Sequence, residues 1–417
     1  MQKYMRWSGI LVVLVLALAA CSSPGTSAPA SAPASAGGDP TAVCAADPMG
    51  CVEIADGDPI IIGTIFVTSG ANETLGTDSK IGVEVAQSMK PQIADHDVEL
   101  NNQDGLCNAE GGTAAANALI NVEGLAGIIG TSCSGAGVPA AEITSAKGIM
   151  LISPSNTAPS LTAADTHQPF YARTAHNDKI QGAAMAQFAC EELGAKSAAT
   201  IHDGSPYAQQ LQAVFAQSFQ DTCGGTITAQ EAVTVGQTDF SGTLGNIAAD
   251  SPDLLYYPIF TAEGALITQQ ARKTAGLENT ALAGADGMLN SDWLAAAGAA
   301  AEGVYLSGPD LAFTGDFYED TFLPKYKEIS GLDEPTSVFH AHAFDAYNIL
   351  AAAIEKVAIE SGGKTYIPRT ALRDAVLATK DYAGITGTLT CDATGDCADA
   401  KISVSKVENG EFVRIWP

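Results

Sequence analysis

Two short apolar runs, separated by a segment of small residues, constrain this chain more than any other feature. The stretch 126–159 begins with an apolar run that ends at Gly130, continues through an Ala-rich segment, and returns to an apolar run from Ile149 to Ser153. Two buried strands joined by about one helix's length of chain are typical of a βαβ unit with a parallel sheet. We therefore predict an α/β fold.

Hydroxyl and amide side chains follow both predicted strands. They are Thr131, Ser132 and Ser134 after the first strand, and Ser155, Asn156 and Thr157 after the second. In parallel sheets, ligands bind beyond the carboxyl ends of the strands. Hydroxyl groups, free amides and a helix N-terminus suit a small anion such as a carboxylate. Ordinary βα turns have the same composition, so this stretch alone leaves both interpretations open.

The first 20 residues are typical of an export signal. Lys3 and Arg6 precede an apolar run at 10–20 that is too short to cross a bilayer and is followed by Cys21. Residues 18–21 resemble a bacterial lipobox, which implies that Cys21 is the lipid-modified first residue of the mature chain. A plain cleavage site with a chance cysteine is the alternative. We expect an extracytoplasmic protein attached to the membrane by this lipid.

The residues after Cys21 predict a flexible tether. Residues 22–40 consist of Ser, Pro, Ala, Gly and Thr with a single Asp, and such a segment has no apolar surface from which to build a core. We place the lipid-anchored tether at 21–56. The sequence leaves open whether residues 41–56 belong to it or to the folded protein.

Net charge and hydropathy exclude several kinds of partner. The chain has 20 Lys and Arg against 47 Asp and Glu, which argues against binding to nucleic acid or to an anionic lipid surface. No later segment is apolar over the length that a membrane helix requires. We expect a monomer that binds a small molecule.

Strand and helix patterns occur in two successive α/β series. The first series runs from the apolar run at 59–67 to residue 159, the second occupies 179–284, and a long helix at 337–357 and a β-rich tail at 386–416 follow. So long a chain does not form one core. We predict two doubly wound, Rossmann-like lobes joined by a multi-strand hinge, with the run at 170–174 crossing between them and a ligand cleft in between. Lobe 1 comprises 57–174 and 305–382, and lobe 2 comprises 175–304 and 383–417.

Cysteine usage agrees with export. Nine cysteines leave eight when Cys21 is set aside, and an even number in an oxidising compartment implies disulfides. They fall into four neighbouring couples, Cys44–Cys51, Cys107–Cys133, Cys190–Cys223 and Cys391–Cys397. Because there is no C-x-x-C motif and no Cys/His cluster, we predict neither a metal site nor a cofactor.

Six motifs carry a resemblance to a known family. They are IIGTSCSGAG at 128–137, GIMLISPSNTAPSLT at 148–162, FYARTA at 170–175, IHDGSPYAQQL at 201–211, DLLYY at 253–257 and GADG at 284–287. In order and spacing the chain resembles the type I periplasmic binding proteins, specifically the branched-chain amino-acid (Leu/Ile/Val) family of ABC importers, over residues 57–400. The resemblance implies a solute-binding protein that delivers an amino acid to a permease and its ATPase. It also implies a disulfide between Cys107 and Cys133.

The resemblance assigns ligand contacts to four residues. In that family a Ser and a Thr at the positions of Ser134 and Thr157 hold the ligand's carboxylate, which agrees with the physical argument from hydroxyl donors. A tyrosine at the position of Tyr207 reaches the ligand from the second lobe, and an acid at the position of Asp286 receives its ammonium group. Taken alone, an acid in a G-x-D-G turn is usually a turn former.

Three positions depart from the family pattern. Leu75 and Phe260 stand at positions where relatives carry aromatic groups that contact the ligand side chain, and residue 286 is Asp where Glu is commoner. The amino-acid head group is still expected, but the side chain that the protein prefers stays open. An amide, urea or an aromatic acid is the alternative ligand.

Two other kinds of protein remain as rivals. Catalysis lacks support, because the six histidines are scattered and no G-x-S-x-G, H-E-x-x-H or G-x-x-x-x-G-K motif is present. We therefore predict that the protein is not an enzyme. A ligand-sensing receptor component uses the same two-lobed fold, but the sequence shows no spanning helix after the second lobe, which favours the importer.

Overall fold

The computed structural model describes residues 40–313 and 315–417. Within it, Pro40–Pro417 forms one compact unit. The predicted signal peptide at 1–20, the lipidation site Cys21 and the tether as far as residue 39 lie outside the described residues. Among the described helices, none is long and apolar enough to cross a membrane.

Strands and helices alternate along most of the described chain. The strands are β1 Cys51–Ala55, β2 Ile60–Phe66, β3 Gln92–Ile93, β4 His96–Asp104, β5 Leu125–Gly130, β6 Leu151–Ser153, β7 Tyr171–Arg173, β8 Ser197–His202, β9 Thr226–Ala232, β10 Leu254–Tyr256, β11 Ala281–Gly284, β12 Tyr305–Pro309, β13 Ile359–Ser361, β14 Lys364–Pro368, β15 Tyr382–Gly384, β16 Gly387–Leu389, β17 Ile402–Glu408 and β18 Glu411–Trp416. The helices are α1 Pro40–Ala46, α2 Glu73–Met89, α3 Ala109–Leu119, α4 Ser134–Ser145, α5 Asp178–Glu191, α6 Pro206–Cys223, α7 Ser241–Ala248, α8 Thr261–Ala271, α9 Ser291–Ala297, α10 Leu323–Ser330, α11 His340–Val357 and α12 Arg369–Leu377.

The sheet of the first lobe has the strand order β3-β4-β2-β5-β6-β7. All its neighbouring pairs are parallel except β3 with β4. Every residue of β5 is buried, as expected of a parallel strand covered on both faces. Adjacent residues Ile128 and Ile129 belong to different apolar clusters, one with α3 and α4 and the other with α2 and α11. Because side chains alternate along a strand, helices cover both faces of this sheet.

The sheet of the second lobe has the strand order β18-β17-β12-β11-β10-β8-β9. The strands from β8 to β12 are parallel, and β17 and β18 are added antiparallel at one edge. Helices α5 and α6 pack against each other beside it, as do α8 and α9. Two doubly wound α/β lobes are therefore present, and the predicted fold class is confirmed.

Three segments connect the two sheets within the described chain. The first follows β7, the second follows β12, and the third precedes β17. Residues of all three, Thr174, Asp310 and Lys401, line one small cavity, so the connections lie side by side as a hinge requires. The predicted lobe bounds stay a prediction. Strand β12, which the prediction places at the start of the returning part of lobe 1, pairs with β11 and β17 in the second sheet.

Residues 41–56, whose place the sequence left open, are part of the folded protein. After α1, strand β1 pairs antiparallel with β14, which in turn pairs with β13. Cys51 lies opposite Pro368 in this register, so the partner strand is far away in sequence. Local patterns therefore gave no sign of this small sheet, and the tether predicted to reach residue 56 is folded from residue 40 onward.

The structure contains four disulfides in the described residues. They join Cys44 to Cys51, Cys107 to Cys133, Cys190 to Cys223 and Cys391 to Cys397. These are the four couples that their spacing predicted. The second bridge ties the turn after β4 to the residue before α4, beside the predicted anion site.

The predicted crossing at 170–174 differs in detail. Residues Tyr171–Arg173 form β7, the edge strand of the first sheet, and Tyr171 pairs with Leu151 of β6. The crossing itself begins only after Arg173. A three-residue strand is too short to show a repeating pattern, so the sequence could not distinguish it from a linker.

Candidate functional site

The hydroxyl groups of Ser134 and Thr157 lie at the carboxyl ends of β5 and β6. Ser134 is the first residue of α4, and its Oγ accepts a hydrogen bond from the amide of Ala158 at 3.2 Å. The hydroxyl of Thr157 is buried and has no hydrogen-bond partner among the described residues. The positive end of α4 and these two hydroxyls together favour a negatively charged group.

The other predicted polar residues of these turns bond to the protein itself. The Oγ of Ser132 accepts from the amide of Val67 at 3.0 Å, and the Oγ of Ser155 donates to the carbonyl of Ser132 at 2.7 Å. The side-chain Nδ2 of Asn156 donates to the carbonyl of Thr131 at 2.8 Å. These bonds hold the two turns together, so the three side chains support the site. Their direct contact with a ligand stays a prediction.

Arg173 fixes the turn that carries Thr157. Its side chain is fully buried, forms an ion pair with Asp396, and donates from Nη1 to the carbonyls of Asn156 at 3.1 Å and Ala158 at 3.0 Å. Hydrogen bonds from a charged donor to the carbonyls on either side of Thr157 leave its backbone little freedom. The motif at 170–175 therefore supports the site by fixing the turn that carries Thr157.

The second lobe places Asp286 and Tyr207 together. Asp286 follows β11 in a short 3-10 turn, and Tyr207 lies in the first turn of α6, where the Ser205 side chain caps the helix. The Tyr207 hydroxyl donates to Oδ1 of Asp286 at 3.0 Å and accepts from the amide of Gly287 at 3.2 Å. Burial raises the pKa of Asp286, and burial together with the Asp286 charge raises the pKa of Tyr207 well above its usual value.

The two residues expected near the ligand side chain are apolar and buried. Leu75 lies on α2, and Phe260 precedes α8 with its ring centroid 5.1 Å from that of Tyr207. Both belong to the apolar cluster that also contains Cys133 from the first lobe. Residues of both lobes thus share one continuous buried surface beside the hydroxyls and the acid.

A second acid, Asp178, completes this group and was not predicted from the sequence. It is fully buried at the start of α5, its amide donates to the carbonyl of Thr157 at 3.0 Å, and neither of its carboxyl oxygens has a hydrogen-bond partner among the described residues. Burial and then the charge of Asp286 raise its pKa well above the usual value, while the nearby Thr157 hydroxyl, which lies outside hydrogen-bond geometry, and the charge of Arg173 act in the opposite direction. An acid in the first turn of a helix is common because it interacts favourably with the helix dipole. The sequence therefore distinguished Asp178 only by its position directly after the crossing.

Gln181 and His176 were missed as well. Gln181 Nε2 donates to Asp286 Oδ1 at 2.7 Å, and Gln181 Oε1 lies 2.5 Å from His176 Nε2. Burial lowers the pKa of His176 despite the nearby Asp286 charge. We call Ser134, Thr157, Asp178, Tyr207 and Asp286 the interlobe site, because the first two follow strands of the first lobe and the last two belong to the second lobe. It combines donors for an anion with two buried acids for a cation.

Two α/β lobes joined by a triple hinge, with charged groups buried between them, define a solute-binding protein. The profile of the Periplasmic binding protein family matches residues 59–411, and the chain belongs to that family. The type I architecture predicted from the six motifs is thereby confirmed.

Similar proteins bind amino acids according to their names. Leu/Ile/Val-binding protein homolog 3 of Brucella melitensis is 26% identical over 357 residues, which cover 85% of this chain and 93% of that protein. The Leu/Ile/Val-binding protein of Escherichia coli is 28% identical over 271 residues, 62% of this chain and 71% of that one. The crystal structure of the leucine-binding protein LivK from Thermotoga maritima has a TM-score of 0.77 and 26% identity, and covers 85% of this chain and 97% of that one.

Proposed function

We propose that the protein captures an amino acid in the interlobe site and delivers it to the permease and ATPase of an ABC importer. The observation that carries this proposal is the buried carboxyl group of Asp178, near Thr157 and Asp286, which has no hydrogen-bond partner among the described residues. A buried acid without a hydrogen-bond partner is costly unless a ligand supplies one. An ammonium group meets that requirement.

The two charged ends of the ligand are held by different lobes. Ser134, Thr157 and the N-terminus of α4 receive the carboxylate, while Asp178, Asp286 and Tyr207 surround the ammonium group. Each charge is then paired inside a site without water, where such interactions are strongest. Asp178 lies beside Thr157, so one head group of ordinary amino-acid size reaches both sides.

The ligand side chain that fits best is apolar. Leu75 and Phe260 are buried in the same cluster as Tyr207 and present no charged group. The names of the most similar proteins, which refer to leucine, isoleucine and valine, support a branched-chain or related side chain for this protein too. Leu75 and Phe260 are the positions that set this preference.

Closure of the lobes encloses the ligand. The hinge of three connecting segments permits one lobe to rotate against the other, and the ligand shifts the population toward the closed form.

Transport requires no chemistry on the ligand, so the protein is a binding protein without catalytic residues. A lipid on Cys21 and the residues that follow it keep the lobes outside the cytoplasm and near the permease, where the protein acts as a monomer.

A thermal-shift screen of a variant that begins at Asp39 tests the ligand class. The panel contains the amino acids, short amides, urea and aromatic acids. A ligand at a hundredfold excess over its Kd stabilises the folded state by about 2.7 kcal/mol. Shifts confined to zwitterionic amino acids support the proposal and identify the side chain. Shifts only with amides, urea or aromatic acids contradict the ammonium role of the two acids, and no shift at all favours a sensing role or another solute.

Removing the acid of the second lobe tests the ammonium contact. Asp286→Ala should weaken binding of the amino acid found in the screen by about 2–5 kcal/mol, since the ligand's charge is left buried beside one acid fewer. Isothermal titration calorimetry measures the change. The matched control is Asp221→Ala, which removes an exposed carboxylate at the end of α6 and should leave the Kd unchanged. Equal Kd values for wild type and Asp286→Ala would remove Asp286 from the site.

A further inference from the structure

Three potential metal ligands converge in the interlobe site. One ring nitrogen of His176 and one carboxyl oxygen each of Asp178 and Asp286 lie within 4.8 Å of one another. All three side chains are at least nine-tenths buried. His176 and Asp178 come from the first hinge segment and the start of α5, whereas Asp286 follows β11, so sheet order brings them together. The sequence predicts no metal site because Asp286 lies more than one hundred positions along the chain from His176 and Asp178.

The hydrogen bonds of this group leave ligand atoms available. Neither carboxyl oxygen of Asp178 has a partner among the described residues, and neither does Nδ1 of His176. An acid cluster alone would not indicate a ligand, but buried polar atoms without partners require one.

The neighbouring amide fixes the tautomer of His176. Gln181 Nε2 donates to Oδ1 of Asp286 and to the carbonyl of Ser307, at 2.7 and 3.1 Å. Its Oε1 is therefore the atom that faces His176 Nε2, and it accepts the proton of that nitrogen. The neutral ring then carries its lone pair on Nδ1. A partner that holds one ring nitrogen in this way is the usual arrangement around a metal-binding histidine.

One imidazole and two carboxylates favour a particular class of metal. Nitrogen and oxygen donors together suit zinc and other divalent first-row transition metals, whereas Mg²⁺ and Ca²⁺ prefer oxygen donors alone. Three protein ligands leave a fourth position for water or another exchangeable ligand. This donor set is that of a metal site with one open position.

We propose that His176, Asp178 and Asp286 bind a divalent transition-metal ion, for which Zn²⁺ is the probe, and that this ion competes with the ammonium group of an amino acid. The metal site goes beyond the proposed function. Only the competition rests on it, because ion and ammonium would occupy the same space between the same two carboxylates. Transition-metal ions thus act as inhibitors of solute capture.

Calorimetric titration of ZnCl₂ into purified protein without an affinity tag, in the absence of amino acids, tests the site. The expected result is one binding site per chain that His176→Ala and Asp178→Asn each weaken at least tenfold. The matched control is His167→Ala, which removes a histidine that also has an unpartnered ring nitrogen but lies in the loop before β7. Co²⁺ in place of Zn²⁺ should give visible absorption bands that both site variants lose and the control keeps. Far-UV circular dichroism shows whether each site variant folds. If one of the two does not fold, the Zn²⁺ affinity of the other tests the proposal.

Two results would overturn the proposal. Equal Zn²⁺ affinity in wild type, His176→Ala and Asp178→Asn would place any bound metal elsewhere. Undiminished Zn²⁺ binding after saturation with the amino acid identified by thermal shift would show that the two do not compete. Because the first titration contains no amino acid, its outcome is independent of whether the proposed function is correct.

Discussion

At the residue scale, Asp178 is the side chain whose surroundings most require a ligand. Its carboxyl group is buried without a hydrogen-bond partner among the described residues, so the free protein keeps it at an energetic cost. Asp178→Asn should therefore weaken amino-acid binding by about 1.5–3 kcal/mol, since a charge-assisted hydrogen bond is lost. Titration calorimetry gives the Kd. Asp221→Asn, at an exposed position, is the control, and an unchanged Kd for Asp178→Asn would exclude this contact.

Asp345 is a buried acid away from the ligand. Its Oδ1 accepts from the amide of Ile385 and its Oδ2 from the amide of Thr386, but burial dominates and raises its pKa to about 6. The folded protein therefore binds this proton more tightly than the unfolded chain. The stability that follows is complete below pH 4 and is lost as the pH rises through about 6.

This shift predicts a pH dependence that one substitution removes. Between pH 5 and pH 7 the unfolding free energy of the wild type should fall by about 1 kcal/mol through Asp345. The fall in Asp345→Asn should be smaller than that of the wild type by this amount, because Asn does not titrate. Urea unfolding at the two pH values measures both proteins. Asp381→Asn, which changes an exposed acid, should follow the wild type. A pH dependence in Asp345→Asn identical to that of the wild type would contradict the prediction.

At the element scale, the disulfide Cys107–Cys133 joins a turn to the start of a helix. It links the turn after β4 to the N-cap of α4, which positions Ser134. A covalent link at this point limits the movement of the first-lobe side of the site. The bridge is thus expected to serve affinity as well as stability.

Two double variants separate these effects. Replacing Cys107 and Cys133 by Ser should lower the unfolding free energy by about 3–4 kcal/mol through the loop it opens, and should also raise the Kd for the amino acid. The matched control replaces Cys190 and Cys223, which are 33 positions apart compared with 26 and join α5 to α6. The control should lose similar stability in urea unfolding but keep its Kd. A Kd unaffected in both variants would assign the first bridge to stability alone.

At the scale of the whole molecule, side chains of one lobe bond directly to the other. The amide of Ser160 donates to Oε1 of Gln210, whose Nε2 donates to Oγ of Ser160, both at 2.9 Å. Thr74 donates to Asp292 at another point. Ser160 follows the Thr157 turn, and Gln210 lies on α6, so we expect these bonds to break when the lobes open.

Loss of the bond between Ser160 and Gln210 should favour the open form. Gln210→Ala is expected to raise the Kd for the amino acid about threefold to thirtyfold, mainly through faster dissociation, because two hydrogen bonds of ordinary strength are lost from the closed state alone. Stopped-flow fluorescence measures both rates. The neighbouring Gln209→Ala removes an exposed side chain of the same kind and should bind as the wild type does. Equal dissociation rates in the two variants would show that this contact does not hold the lobes together.

The sequence by itself determined the class of fold and half of the site. Apolar runs such as Leu125–Gly130 and helix-length spacers between them are local features, and they identify parallel strands and their helices wherever they occur. Ser134 and Thr157 were found because polar residues directly after such strands lie at one edge of the sheet. Tyr207 and Asp286 came from motif resemblance, and the cysteine couples came from spacing.

Only the tertiary structure decided which acids meet. Asp178, Gln181 and His176 precede Asp286 by more than one hundred positions, and their contacts follow from strand order and from the hinge. Neither periodicity nor spacing predicts such contacts, since local patterns specify an element but not the elements that pack beside it. The pairing of β1 with β14 escaped for the same reason. Burial supplies the rest, because the carboxyl group of Asp178 becomes a candidate ligand contact only after folding has removed it from water.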